Sequence, residues 1–171
     1  GSPAVNVGFV PASMYLTDVI EGTGCMARDS VQHVGSDVIF LSASGVRSLR
    51  KSLITSKNPI DEISLPVRDL LLQYTDAATL SNVRSAFHQR EGLYILSIVG
   101  GTITTTFCFD MKAYIRGIQE TDTGSVKCSI WTGWTIHGMD YGRDGILYVS
   151  YRDGSNEEIG KYAGYTDNGT N

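Results

Sequence analysis

The sequence predicts an all-β chain of propeller-like blades, about three antiparallel sheets with a short helical insertion. Three observations predict it. First, four apolar residues, a Ser and a Gly three or four positions later occur three times. The copies are Val38-Ile39-Phe40-Leu41-Ser42 with Gly45, Leu93-Tyr94-Ile95-Leu96-Ser97 with Gly100, and Ile146-Leu147-Tyr148-Val149-Ser150 with Gly154. Their serines stand 55 and 53 residues apart. A period near fifty is too long for a helical solenoid and suits propeller blades, at about 40–50 residues each. Second, runs rich in β-branched and aromatic residues that stop at Gly read as strands buried on both faces, as the inner strands of stacked blades are. Third, a second strand-like stretch follows each run: Val46 to Leu49, Thr102 to Asp110 and Glu157 to Tyr162. The repeated element is therefore a hairpin, and the 19 glycines supply its tight turns.

The elements divide the chain in order. Residues 1–29 are poorly periodic, with short strand candidates at Val5 to Val10 and Met14 to Ile20, and read as an N-terminal segment or partial blade. Residues 30–57 hold the first blade hairpin, in which Ser30 to Val34 alternates and meets the turn Gly35-Ser36-Asp37. Residues 58–85 form the helical insert. Ser64-Leu65-Pro66 gives it a cap and a first-turn proline, and Val67, Leu70 and Leu71 mark one apolar helical face reaching about Gln73. Asp76 caps a second short helix holding Leu80 and Val83, and the insert is expected outside the β stack. Residues 86–128 form the second blade, with strong β propensity from Thr102 to Phe109 and a polar loop from Gln119 to Ser125. Residues 129–171 form the third blade, opened by Ser129-Ile130-Trp131-Thr132-Gly133-Trp134. The polar stretch from Gly164 to Asn171 carries no cap or terminal strand, so the chain is expected to be cut there rather than completed.

At 171 residues the chain can bury a genuine core. A net charge of −4 argues against nucleic-acid binding through a broad basic face. Arg47, Arg50, Lys51 and Lys57 are the nearest approach to a basic cluster and read as a solvated edge. Cys25, Cys108 and Cys128 cannot all pair within one chain and match no zinc template, so reduced thiols and a cytosol-like place of assembly are expected. No apolar run approaches membrane-spanning length, and neither a membrane anchor nor a signal peptide is expected.

Each chemical constellation has a plain structural alternative. Cys25, Asp29 and His33 contain the residue types of a Cys–His nucleophile, but such a grouping within one segment arises easily by chance. His33 and His88 both stand nine residues before a repeated Ser, which argues for a packing role rather than a shared metal. Asp153, Asn156, Glu157 and Glu158 form an acidic turn without the alternating oxygen ligands of a calcium loop. Trp131, Trp134, Tyr148 and Tyr151 contain the makings of a sugar-stacking platform, with core or subunit-interface packing the simpler reading. Trp131, Trp134 and Tyr151 are the interface or glycan-stacking candidates. Phe40, Ser42, Gly45, Ile95, Ser97, Gly100, Tyr148, Ser150 and Gly154 are the blade-repeat positions. No catalytic, cofactor or metal site is expected. Gly100-Gly101 lies in a hairpin turn without a following helix, so it is not a phosphate loop.

Several spaced motifs resemble a known family. Gly24-Cys25, Ser30-Val31, Val34-Gly35-Ser36-Asp37 with the run to Ser42, and Gly45-Val46-Arg47-Ser48-Leu49 are similar to the core of short-tailed phage tail-nozzle proteins. These are also called packaged-DNA stabilisation proteins or tail tubular protein B. Ile63-Ser64-Leu65-Pro66-Val67 resembles the segment after that core. Trp131-Thr132-Gly133-Trp134, Asp144-Gly145 with Ile146 to Val149, Asp153-Gly154 and Gly164-Tyr165-Thr166-Asp167-Asn168-Gly169 resemble a later blade and its exit. Family members are longer, so the resemblance implies a fragment or a small relative. It further implies a virion structural protein without enzymatic activity or cofactor, assembled in the host cytoplasm into the phage tail. Its implied partners are identical subunits in a ring, adaptor or portal-side proteins, distal tail proteins, and double-stranded DNA in passage without tight binding. The alternative function is a carbohydrate-binding propeller domain of a host-facing tail protein. Three blades leave a gap, since propellers use four or more, so an open arc or a further sheet is expected.

Overall fold

The computed structural model describes residues 24–50, 62–77, 82–100, 103–115, 126–132 and 135–162. They form three antiparallel sheets. The first is β1 (Gln32–Val34), β2 (Asp37–Ser42) and β3 (Gly45–Ser48), in that spatial order. The second is β4 (Val83–His88), β5 (Leu93–Gly100), β6 (Ile103–Asp110) and β7 (Cys128–Trp131). The third is β8 (Thr135–Tyr141), β9 (Leu147–Asp153) and β10 (Asn156–Lys161). Each apolar run thus lies in the second strand of its own sheet, paired on both sides. Helix α1 (Arg68–Ala77) separates the first two sheets in sequence, and the single turn α2 (Lys112–Ile115) follows β6.

Side-chain alternation sets the packing. In the second sheet, Tyr94, Leu96 and Ile98 of β5, with Phe87, Phe107 and Phe109, join Ile39, Leu41 and Val46 of the first sheet in one core. Leu93 and Ile95, with Ala86 and Cys108, point the other way and join Ile136, Leu147 and Val149 of the third sheet in a second core. The middle sheet is therefore buried on both faces, as a continuous apolar run demands.

The direction of stacking repeats. Calling the face that carries Ile39 and Leu41 the front of the first sheet, the back of the second sheet covers it. The front of the second sheet, carrying Leu93, Ile95 and Ser97, meets the back of the third, carrying Leu147, Val149 and Tyr151. Counted back from the last pair of each hairpin (Ser42↔Gly45, Gly100↔Ile103, Asp153↔Asn156), front positions fall in the same register in all three sheets. The tightest inter-sheet approaches involve the first strands, with β4 lying against β1 on one side and β8 on the other. Arg84 of β4 spans that seam, donating from Nε to the His137 carbonyl at 3.1 Å and from Nη1 to Asp29 Oδ2 at 3.1 Å. Gln32 Nε2 donates to the Ser85 carbonyl at 3.0 Å, a second tie between first strands.

Several expectations change. Ser97 and Ser150 each stand three residues before the end of their hairpin pairing, whereas Ser42 is itself the last paired residue. An odd offset reverses the face, so Ser42 points to the back of its sheet, where it donates to the Gly45 carbonyl at 2.8 Å. Gly100 ends β5, while Gly154 sits in its turn at φ 58° and Gly45 opens β3 at φ 134°. The third run is not buried on both faces, because Tyr148 is 37% exposed. The insert also belongs to the core: Leu71 is fully buried and Tyr74 meets Phe107 edge-on at 5.9 Å. Val83 opens β4 instead of closing a helix. Ser64 does not cap the insert; its hydroxyl accepts from the Val46 amide at 2.9 Å and donates to Glu62 Oε1 at 2.7 Å. The expected boundaries at 86 and 129 fall inside β4 and β7, since β7 finishes the second sheet by pairing with β6. Residues 1–23, Lys51, Lys57, Leu80, Gly101, the 119–125 loop, Trp134 and residues 163–171 lie outside the described residues.

Candidate functional site

The two ends of the stack differ. At the first sheet the back face is covered at Phe40, 7% exposed, and at Ser42, while His33 at its edge is exposed. At the third sheet the front face is open, with Ile159 at 79%. This open face is the most distinctive surface of the described residues.

Register defines it as three rows crossing β8, β9 and β10. One row is Asp140, Tyr148 and Lys161; the central row is Gly138, Ser150 and Ile159; the third brings Arg152 beside Glu157. A β-bulge between Ile136 and Gly138 precedes the central row and admits His137 as an extra residue. Gly138 carries no side chain on this face, and a Cβ there would stand only 3.1 Å from Ser150 Oγ, so the serine hydroxyl already takes part of that space. His137, Ser150, Glu157 and Ile159 of this face, with Tyr151 and Glu158 of the back face, line a shallow concavity of about 290 Å³.

Ion pairs order the charged residues. Arg152 Nη2 contacts Glu157 Oε1 at 2.6 Å, and the guanidinium holds that carboxyl below its usual range. The Tyr148 hydroxyl donates to Asp144 Oδ2 at 2.9 Å, and the Ile146 amide to Asp144 Oδ1 at 3.1 Å. These bonds, that from the Ile146 amide foremost, lower the Asp144 pKa.

The predicted interface residues separate. Tyr151 points to the back of the third sheet, where its ring lies beside Gly160 and its hydroxyl donates to Glu158 Oε2 at 3.2 Å. Trp131 belongs to the second sheet and stacks on Tyr162 at 6.0 Å and 14°. Tyr162 in turn meets His88 at 5.0 Å, and His88 meets Tyr141 at 5.6 Å, both edge-on. This aromatic ladder closes the seam between the second and third sheets. Only its Trp131 was legible as an aromatic candidate; His88 enters because β4 turns it toward the third sheet.

Other constellations disperse. Cys25 Sγ donates to the Ala27 carbonyl at 3.1 Å, while Asp29 pairs with Arg28 at 2.8 Å and with Arg84. His33 is exposed on β1 and His88 is buried on β4, although each pairs with the first residue of its apolar run, Val38 and Leu93. Their parity differs by one residue from the turns, so they point to opposite faces. Glu157 and Glu158 also occupy opposite faces, with separate partners. Among the described residues, no cluster of three His, Cys, Asp or Glu side chains forms a metal site. Cys108 and Cys128 sit on opposite faces of the second sheet and do not pair. Arg47 reaches back to Ser44 Oγ at 2.8 Å, and the Arg50 amide donates to Asp37 Oδ1 at 2.9 Å.

Comparison with family models, curated proteins and solved structures finds no match to this chain.

Proposed function

We propose that the chain is a structural part of a short-tailed phage tail, of the nozzle or head-tail completion kind, and that its three sheets are successive blades of a propeller-type arc. The observation supporting this most directly is the repeated front-to-back stacking, with first strands closest at each seam. A radial array packs in that way, since rotation about a common axis keeps every blade facing the same direction. The ordered motifs from Gly24 onward supply the link to the tail. The chain would be assembled in the host cytoplasm and carried in the virion. It would contact identical subunits, adaptor or portal-side proteins and distal tail proteins. Its net charge of −4 suits a wall past which DNA slides, because a basic wall would hold phosphate through counterion release.

The carbohydrate-binding alternative requires aromatic faces free to stack on sugars. Trp131 already gives one face to Tyr162, and Tyr151 lies beside Gly160, which favours the structural reading. The test is addition of the protein to tails assembled without it, followed by electron microscopy. Added density at the distal tail is expected; a protein that never joins the tail and binds a defined glycan overturns the proposal.

A further inference from the structure

We propose that the open front face of the third sheet is a self-association surface, pairing with the same face of a second copy about a two-fold axis along β9. The inference follows from this face alone and does not rest on the tail reading.

The face is self-complementary across its rows. A two-fold axis along the central strand keeps each row opposite itself and exchanges β8 with β10. In the first row, Asp140 of one copy then faces Lys161 of the other, twice by symmetry. In the central row, Ile159, the most exposed large apolar side chain of the described residues, faces Gly138, which sets no side chain against it. Ser150 meets Ser150 and Tyr148 meets Tyr148 on the axis. The two copies of Arg152 approach with their charges already balanced by Glu157. The face carries two cations, Arg152 and Lys161, and three anions, Asp140, Glu157 and the Tyr148-bonded Asp144, so a residual charge of −1 per copy opposes the pairing and is screened in part at physiological salt. Aligned packing of two twisted sheets is an ordinary geometry.

Area sets the strength. Strands of seven, seven and six residues, at about 3.4 Å per residue and about 4.8 Å between strands, give a footprint of about 24 by 14 Å. That is on the order of 340 Å² per partner, well below the ~800 Å² of a standard stable interface. The dimer is therefore weak, with a dissociation constant on the order of 100 μM.

Sedimentation equilibrium of the 171-residue chain, from about 10 to 500 μM, tests it. A monomer–dimer equilibrium is expected. Ile159→Asp should abolish it. Asp140→Lys and Lys161→Asp should each weaken it about tenfold or more, and the two together should restore it to within about threefold. Amide shifts in NMR spectra should change on dilution at Ser150 and Ile159, a readout that needs no variant. A chain monomeric at every concentration overturns the proposal and leaves the face to a sheet from another protein. A dimer indifferent to all three substitutions, or unrescued by the double exchange, also overturns it.

Discussion

The Tyr94 hydroxyl donates to the Ser30 carbonyl at 2.7 Å across 64 residues of sequence, with both residues fully buried. It ties the back of the second sheet to the turn leading into the first. Tyr94→Phe leaves the Ser30 carbonyl without that donor and should cost about 1–3 kcal/mol. For a chain of this size each kcal/mol lowers Tm by about 2–4 °C, a shift that calorimetry will read.

The same burial sets an alkaline limit. Desolvation pushes the Tyr94 pKa far up, and burial pushes Tyr141 up to about 12. Both folded values lie above the ordinary value near 10. Their contribution is fully present below pH ~10 and is lost as pH rises through the folded values. Stability should therefore fall above pH ~10, more gently in Tyr94→Phe, as urea unfolding at stepped pH will show.

Asp37 sets the acid side. Burial pushes its carboxyl up, but donation from Ser48, Tyr114 and the Arg50 and Val38 amides outweighs that and holds it below the usual range. Its contribution is present above the unfolded value near 3.9 and lost as pH falls through the lower folded value. Asp37→Asn should cost about 1.5–3 kcal/mol at neutral pH and weaken the dependence of stability on pH below about 4. Acid titration followed by circular dichroism checks both.

Gly45 combines φ 134° with a space already taken, since a Cβ there would overlap Glu62 Oε1 and Ser64 Oγ. Gly45→Ala should destabilise by at least about 1–3 kcal/mol from backbone strain, and Gly45→Val by more. Urea midpoints will rank them.

Cys25 is exposed, whereas burial pushes the Cys108 thiol up to about 12 and the Cys128 thiol up to about 11. One thiol should react rapidly with a disulfide reagent at neutral pH in the folded chain, and Cys25→Ser should remove that phase. Rapid labelling of Cys108 would show that the second sheet opens readily.

What the sequence made legible follows from what its periodicity encodes. The runs around Phe40, Ile95 and Val149 marked three hairpins because each strand is apolar and its turn requires Gly, although only the second is covered on both faces throughout. Sequence spacing did not reveal the face each residue would take. Alignment on the serines displaced Ser42 by three residues from Ser97 and Ser150, and an odd displacement inverts the side of a strand. The open third sheet was equally hidden, because Tyr148 and Leu147 look alike as letters and differ only in which side is covered. Leu71 was read as one face of a helix, yet its place between two sheets depends on tertiary packing that no local pattern carries.

Front-to-back stacking makes the architecture modular in one direction. A contact between unlike surfaces can be repeated without inventing a third surface, so the middle unit, whose two sides already fit their neighbours, could be duplicated in tandem. The seam between Leu96 and Ile39, or between Ile95 and Val149, would then recur in each added copy. Length in such a chain becomes a matter of counting units, and its two ends are the only places where new chemistry is required.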